Sequence, residues 1–191
     1  PDQIILFGYS LGGYLVARAA AFDHRVAAIV LNDGVFDFYG AFAAALPGFL
    51  KKWIDEKNDR AANRVIRMLA RRSTRIRWAI NNGLWVMGVE SPAQYIRMTK
   101  DYTIADVAGS ITCPTLILDA DNDAFFKGQP QQVAAAIGGP ATLTTLSDSE
   151  GAGEHCHVGA MSRLHQEMFD WLDDTVLTPA LESRARLSHR A

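Results

Sequence analysis

Cysteine is nearly missing from this sequence: Cys113 and Cys156 are the only two in 191 residues. They lie far apart and match no metal or redox spacing, which excludes a disulfide-built scaffold and a zinc module. Reduced thiols in a cytoplasmic protein are the expectation. Charge of one sign is missing too, the formal net charge being −2, so the global electrostatics of a nucleic-acid or anionic-membrane binder are excluded. No apolar run reaches the roughly 20 residues of a membrane span. The chain opens at Pro1 without a basic and then apolar leader, so no signal peptide is visible. Internal repeats and low-complexity tracts are also lacking. What is present is a composition 49% hydrophobic and 21% charged, that of a globular protein with enough chain for one substantial core.

Short apolar runs alternate with helical patterns. Ile4–Phe7 is apolar at every position, as expected of a strand covered on both faces of a parallel sheet. Leu11, Leu15, Ala19 and Phe22 then recur at helical spacing and predict a helix with that stripe inward. Val26–Leu31, Thr115–Asp119 and Ala141–Leu146 read as further strands, Pro130–Ile137 as a helix closed by Gly138 and Gly139. A last helix from Ala160 carries Met161, Leu164, Met168 and Leu172 inward. Such alternation predicts an α/β fold with a parallel sheet.

The rhythm breaks between residues 40 and 110, where several helical patterns follow one another without a strand. Ser91 and Pro92 are the cap and first position of one helix. The expected organisation is a core of 1–39 and 111–178, a helical cap over the sheet's carboxyl edge at 40–110, and a polar tail at 179–191. Within the cap, WAINNGLWVMGVE suits either a substrate wall or plain packing, and the two readings weigh equally. Arg60, Arg64, Arg67 and Arg71 fall on one helix face, which reads as solvated rather than as an acidic-partner contact.

The chemistry centres on GYSLGG, directly after the first apolar run. Strand, tight turn and helix give G-x-S-x-G its meaning: Gly8 and Gly12 relieve crowding, and Ser10 projects above the sheet in a strained conformation. It also stands at a helix amino terminus, which favours a developing oxyanion. A serine needs a base, and the base an orienting acid. Such partners are expected beyond the carboxyl ends of later strands. The loop after the third strand offers Asp119, Asp121 and Asp123; the loop after the fourth offers His155 and His157. The loop after the second strand can also supply a carboxylate, Asp33 in LNDG, although beside Gly34 it reads rather as a turn former. Glu154, His155, Cys156 and His157 are too contiguous to converge on one ion, so no metal is expected.

FGYSLGGYLVARAAAFDHRV, ITCPTLILDADNDAFFKGQP and EGAGEHCHVGAMSRLHQEMFDWLD resemble the α/β-hydrolase superfamily. More narrowly, they resemble its dipeptidyl-aminopeptidase/acylaminoacyl-peptidase-like branch, which includes carbon–carbon hydrolases of pseudooxynicotine and polyketide-type substrates. The resemblance implies Ser10 as nucleophile, His155 as general base and acid, and Asp123 as orienting carboxylate. Ala120 stands where the family commonly has Gly, which leaves Asp121 as the alternative acid. Leu11 would give one oxyanion-hole N–H. The family places about four strands ahead of its elbow, one of them followed by the loop that supplies the second oxyanion donor. The resemblance therefore implies that this sequence is the carboxyl-terminal part of a longer protein, with an unpaired strand edge that predicts self-association, for instance as a homodimer. The implied activity is hydrolysis of an ester, amide or ketone through an acyl-enzyme, without a cofactor and on a small-molecule substrate. Cleavage of a 1,3-diketone or aryl ketone on the same triad is the alternative, and a non-catalytic ligand-binding protein on this scaffold is a third reading.

Overall fold

The computed structural model describes residues 4–43 and 46–179. In chain order the elements are β1 (Ile4–Tyr9), α1 (Leu11–Phe22), β2 (Val26–Asn32), α2 (Phe38–Ala43), α3 (Gly48–Asp55), α4 (Asp59–Arg72), α5 (Thr74–Met87) and α6 (Pro92–Met98). They continue with β3 (Thr115–Ala120), α7 (Gln129–Ala136), β4 (Ala141–Leu146) and α8 (Met161–Leu172). The chain divides into two units, Asp37–Thr103 and the remainder. Ile104–Ser110 therefore group with the core, where the sequence pattern extends the insertion to 110. The polar tail expected at 179–191 lies, beyond Pro179, outside the described residues. Among the described residues no helix is long and apolar enough to cross a membrane.

The first unit is a parallel four-stranded sheet in the order β1-β2-β3-β4. Its two faces follow the two-residue period of the strands. Ala28, Val30, Leu116 and Leu118 point to one face, where Leu164, Met168 and Leu172 of α8 and Val176 cover them, with Ile5 and Phe7 at the margin. α1 packs on β1 and β2, and α7 on β3 and β4. At Gly34 a Cβ would crowd Ile117 and Pro130, so α7 closes tightly on the sheet there. Ile104 N–H donates to the Phe36 carbonyl at 3.0 Å, joining the two points where the insertion leaves and returns.

Two expectations about burial change. β1 pairs only with β2 among the described residues, so Ile4–Phe7 are half-buried rather than covered on both faces. On α1 the inward face is Gly13, Tyr14, Ala17, Ala20 and Ala21, whereas Leu15 and Phe22 are 52% and 65% exposed. Small residues let the helix axis lie close to the sheet, and that close approach outweighs burial of the larger side chains. On α8, Met161 stays at the surface in the first turn.

The second unit is helical. Leu50, Ile54, Ala62, Ile66, Ile80, Ala93, Tyr95 and Ile96 form its own core. Ser73 and Ser91 cap α5 and α6, Pro92 opens α6, and Gly88 ends α5 at a left-handed φ of 63°. Gly83 lets the Tyr95 ring lie against α5, since a Cβ there would overlap the ring. In the WAINNGLWVMGVE segment, Ile80 and Gly83 point inward while Trp78, Trp85 and Val86 are exposed. Arg60, Arg64, Arg67 and Arg71 lie on the exposed side of α4, opposite Ala62 and Ile66.

Candidate active site

Parallel pairing sets the site's position. Tyr9 of β1 faces Asn32 of β2, Asn32 faces Leu118 of β3, and Ala120 faces Leu146 of β4. All four strands thus end at one edge, and the loops that follow them bring their side chains together there.

Ser10 occupies the turn between β1 and α1 at φ 53°, ψ −123°, a region a non-glycine residue enters at a cost of about 1–3 kcal/mol. Its N–H donates to the Asn32 carbonyl and its own carbonyl accepts from Gly13, both at 2.8 Å. The hydroxyl does not cap α1; it lies 3.0 Å from His155 Nε2. Leu11 opens α1 directly after it, so its N–H is among the groups that have no partner within the helix. Crowding falls on Gly8, where a Cβ would overlap the Gly12 carbonyl, and on Gly13, where it would sit 2.6 Å from the Asp33 carbonyl oxygen. Gly12 itself has open space at its Cβ position among the described residues, so the relief expected there belongs to Gly8 and Gly13. Gly8→Ala is expected to destabilise the fold by about 1–3 kcal/mol. Gly12→Ala, an alanine in a helix, should be neutral or stabilising by up to about 1 kcal/mol. Paired denaturant unfolding curves check this, and equal midpoints for the two variants would contradict it.

His155 enters from the loop after β4, in a tight turn rather than an extended segment. Its Nδ1 lies 3.1 Å from Asp123 Oδ2, with hydrogen-bond geometry. Asp123 in turn is fixed by its other oxygen, which accepts the N–H of Phe125 at 2.6 Å and of Phe126 at 3.4 Å. The Phe125 and Phe126 rings flank the imidazole, with centroids 4.8 and 5.5 Å away. Burial pushes the Asp123 carboxyl up, but the bonds from His155 and the two backbone N–H groups outweigh it and leave it below the ordinary range. The other candidate acids are engaged elsewhere. Asp121 accepts the Asp148 N–H at 2.9 Å, and Asp119, in β3, accepts from Gln131 at 2.7 Å and Thr145 at 3.1 Å. His157 is buried and donates Nδ1–H to the Ala152 carbonyl at 2.7 Å, the only sense a carbonyl acceptor allows.

Two residues to which the sequence reading gives a lesser part, Asp33 as a turn former and Cys156 as a packing residue, stand in the site. Asp33 is no mere turn former: its Oδ2 lies 2.8 Å from His155 Nδ1. It also accepts the Cys156 N–H at 2.9 Å and the Cys156 thiol at 3.0 Å. Cys156 Sγ is in addition 3.5 Å from His155 Nε2. Burial opposes charge on His155, yet the carboxylates of Asp123 and Asp33 outweigh it and hold the imidazole well above its usual range. Burial pushes the Cys156 thiol up, so it stays protonated and donates. Asp33, His155 and Cys156 also bring one donor atom each within 4.8 Å of one another. The same atoms contact one another in the structure. A signal for Asp33 existed in the register: the residue after β2 must lie beside the residue after β1.

The sequence matches the alpha/beta hydrolase fold family over residues 1–141. It is 37% identical over 188 residues to the hydrolase LUC6 of a Fusarium species, covering 91% of this chain and 43% of that protein. It is 32% identical over 186 residues to the 20-hydroxy-prefusarin hydrolase FUS2 of Gibberella moniliformis, with 91% of this chain and 43% of that protein covered. The chain thus spans less than half the length of these curated relatives. Its fold is similar to that of 2,6-dihydroxy-pseudo-oxynicotine hydrolase, with a TM-score of 0.59, 23% identity and coverage of 91% of this chain and 40% of that one.

Proposed function

The chain belongs to the α/β-hydrolase family, and on that premise we propose that it carries the catalytic triad of a serine hydrolase, with Ser10 as nucleophile, His155 as general base and acid, and Asp123 as orienting carboxylate. One observation carries the reading: an unbroken line of contacts from Ser10 Oγ to His155 Nε2, 3.0 Å, and from His155 Nδ1 to Asp123 Oδ2, 3.1 Å.

On this reading Ser10 Oγ attacks a carbonyl carbon while its proton passes to Nε2. Asp123 holds the proton on Nδ1, which leaves the Nε2 lone pair facing the hydroxyl, and its charge then stabilises the imidazolium. The oxyanion forms at the amino terminus of α1, where the Leu11 N–H is one donor. Collapse breaks the bond to the leaving group, which takes the proton from Nε2. Water, deprotonated by the same nitrogen, releases the acyl group and restores Ser10. Every proton is returned, and no cofactor is required. The substrate is a small ester, amide or ketone in our reading; the Gibberella relative is likewise named for a single compound, 20-hydroxy-prefusarin.

Covalent labelling with a fluorophosphonate probe tests the nucleophile. The wild-type protein is expected to be labelled, and the Ser10→Ala variant not at all. Labelling that survives in Ser10→Ala would place the reactive group elsewhere.

A further inference from the structure

Asp33 stands in the first turn beyond β2 at a left-handed φ of 59°, and its side chain is only 1% exposed. A buried carboxylate without a compensating charge is costly. Among the described residues, the partners of Asp33 Oδ2 are the Cys156 N–H, the Cys156 thiol and His155 Nδ1, and Oδ1 is buried without a partner. Among these groups, His155 is the one that can supply a balancing charge, which it gains when Nε2 takes up the Ser10 proton. The backbone holds the carboxylate in place, because α1 closes on the Asp33 carbonyl at Gly13 and the neighbouring Asn32 carbonyl anchors Ser10.

We infer that Asp33 is a positioning residue for His155, a second buried carboxylate that shares the Nδ1 side of the imidazole with Asp123 and sets how tightly the ring keeps its proton. The inference rests on the hydrolase reading above. The groups facing the ring are Asp33 from the loop after β2, Asp123 from the loop after β3, the Ser10 hydroxyl after β1, and the Cys156 thiol beside it. Tyr9, at the end of β1, adds its phenol on the Cys156 side. Both carboxylates lie within ion-pair distance of Nδ1, Asp33 at 2.8 Å and Asp123 at 3.1 Å, and the Asp123 contact has hydrogen-bond geometry as well. Asp123 therefore directs the N–H, and Asp33 supplies charge. Removing that charge makes the imidazole easier to deprotonate, so the free base persists to lower pH. Removing it also weakens stabilisation of the imidazolium formed during attack.

The test compares wild type with Asp33→Asn, which keeps the shape of the side chain and an acceptor for the Cys156 N–H. The rate of fluorophosphonate labelling is followed against pH, and His155 is titrated by NMR in both proteins and in Asp123→Asn. In Asp33→Asn the acid limb of the labelling profile is expected to move down by about 1–3 pH units, with a lower plateau rate. The NMR midpoint should fall with it. Limbs and midpoints that superimpose on wild type would overturn the inference and leave Asp33 as a support for the Cys156 turn. A wild type that is never labelled would instead count against the hydrolase reading, and the NMR titration then decides about Asp33 alone. Should Asp33→Asn not fold, Asp123→Asn answers the same question. Its His155 midpoint is expected to stay above the ordinary value of about 6.5 because Asp33 remains, and a return to that value would overturn the inference.

Discussion

Ser10→Ala and His155→Ala are each expected to lower kcat by on the order of 10^6-fold, and the double variant by no more. A loss of that size corresponds to about 8 kcal/mol of transition-state stabilisation. The reason is the single proton path in the site. Ser10 Oγ has His155 Nε2 at 3.0 Å to receive its proton, and an imidazole without a hydroxyl has nothing to activate. Either deletion therefore breaks the same event, and the second has no event left to break. On the serine-hydrolase reading, what remains in every variant is an oxyanion site at the start of α1 and the binding of substrate, so turnover should settle at the same low level in all three. Steady-state kinetics on any substrate turned over by the wild type, with binding followed separately, checks the prediction. Unchanged turnover in Ser10→Ala would remove the hydroxyl from the chemistry. Ligand binding with no turnover in wild type would favour the non-catalytic scaffold.

The strands and the elbow were legible in the sequence because they are written in single local runs. Thr115–Ala120 is apolar enough for a strand paired on both sides, and GYSLGG sits where strand gives way to helix. The face of α1 was not legible. LGGYLVARAAAF is apolar nearly all round, so the helical period has no unique phase, and the close approach of Gly13, Ala17 and Ala20 to the sheet decides it. The choice of His155 over His157 also lay beyond spacing. An extended loop would point residues two apart the same way, but here Cys156 and His157 both take left-handed φ values of 54°. The turn sends His155 toward Ser10 and His157 toward the Ala152 carbonyl. Asp33 was legible as a carboxylate after the second strand, but its turn-former reading prevailed for a different reason. LNDG is a turn signal in one dimension, and its nearness to Ser10 exists only in the β1–β2 register. Side chains brought together across parallel strands leave no mark in linear spacing.

Loss of both carboxylates from the Nδ1 side of His155 is the second large effect expected. With Asp33→Asn and Asp123→Asn combined, Nδ1 faces two neutral amides, and no charge remains to fix its proton there. The ring is then free to carry its proton on Nε2, which presents a donor to Ser10 in place of a base. A histidine left in that tautomer costs about 10^4-fold in kcat. Asp123→Asn alone should cost less, because Asp33 Oδ2 still lies 2.8 Å from Nδ1 and is 1% exposed. Asp33→Asn alone should cost least, because the directed bond from Nδ1 to Asp123 at 3.1 Å survives and Asp123 stays anchored by the Phe125 N–H at 2.6 Å. The order expected from kcat, wild type above Asp33→Asn above Asp123→Asn above the double variant, expresses a shared function. If Asp123→Asn already shows the full 10^4-fold loss and the double variant adds nothing, Asp33 contributes no charge to catalysis. The ordered series would instead mean that the loop after β2 and the loop after β3 together hold the base, with one side chain giving direction and the other giving charge.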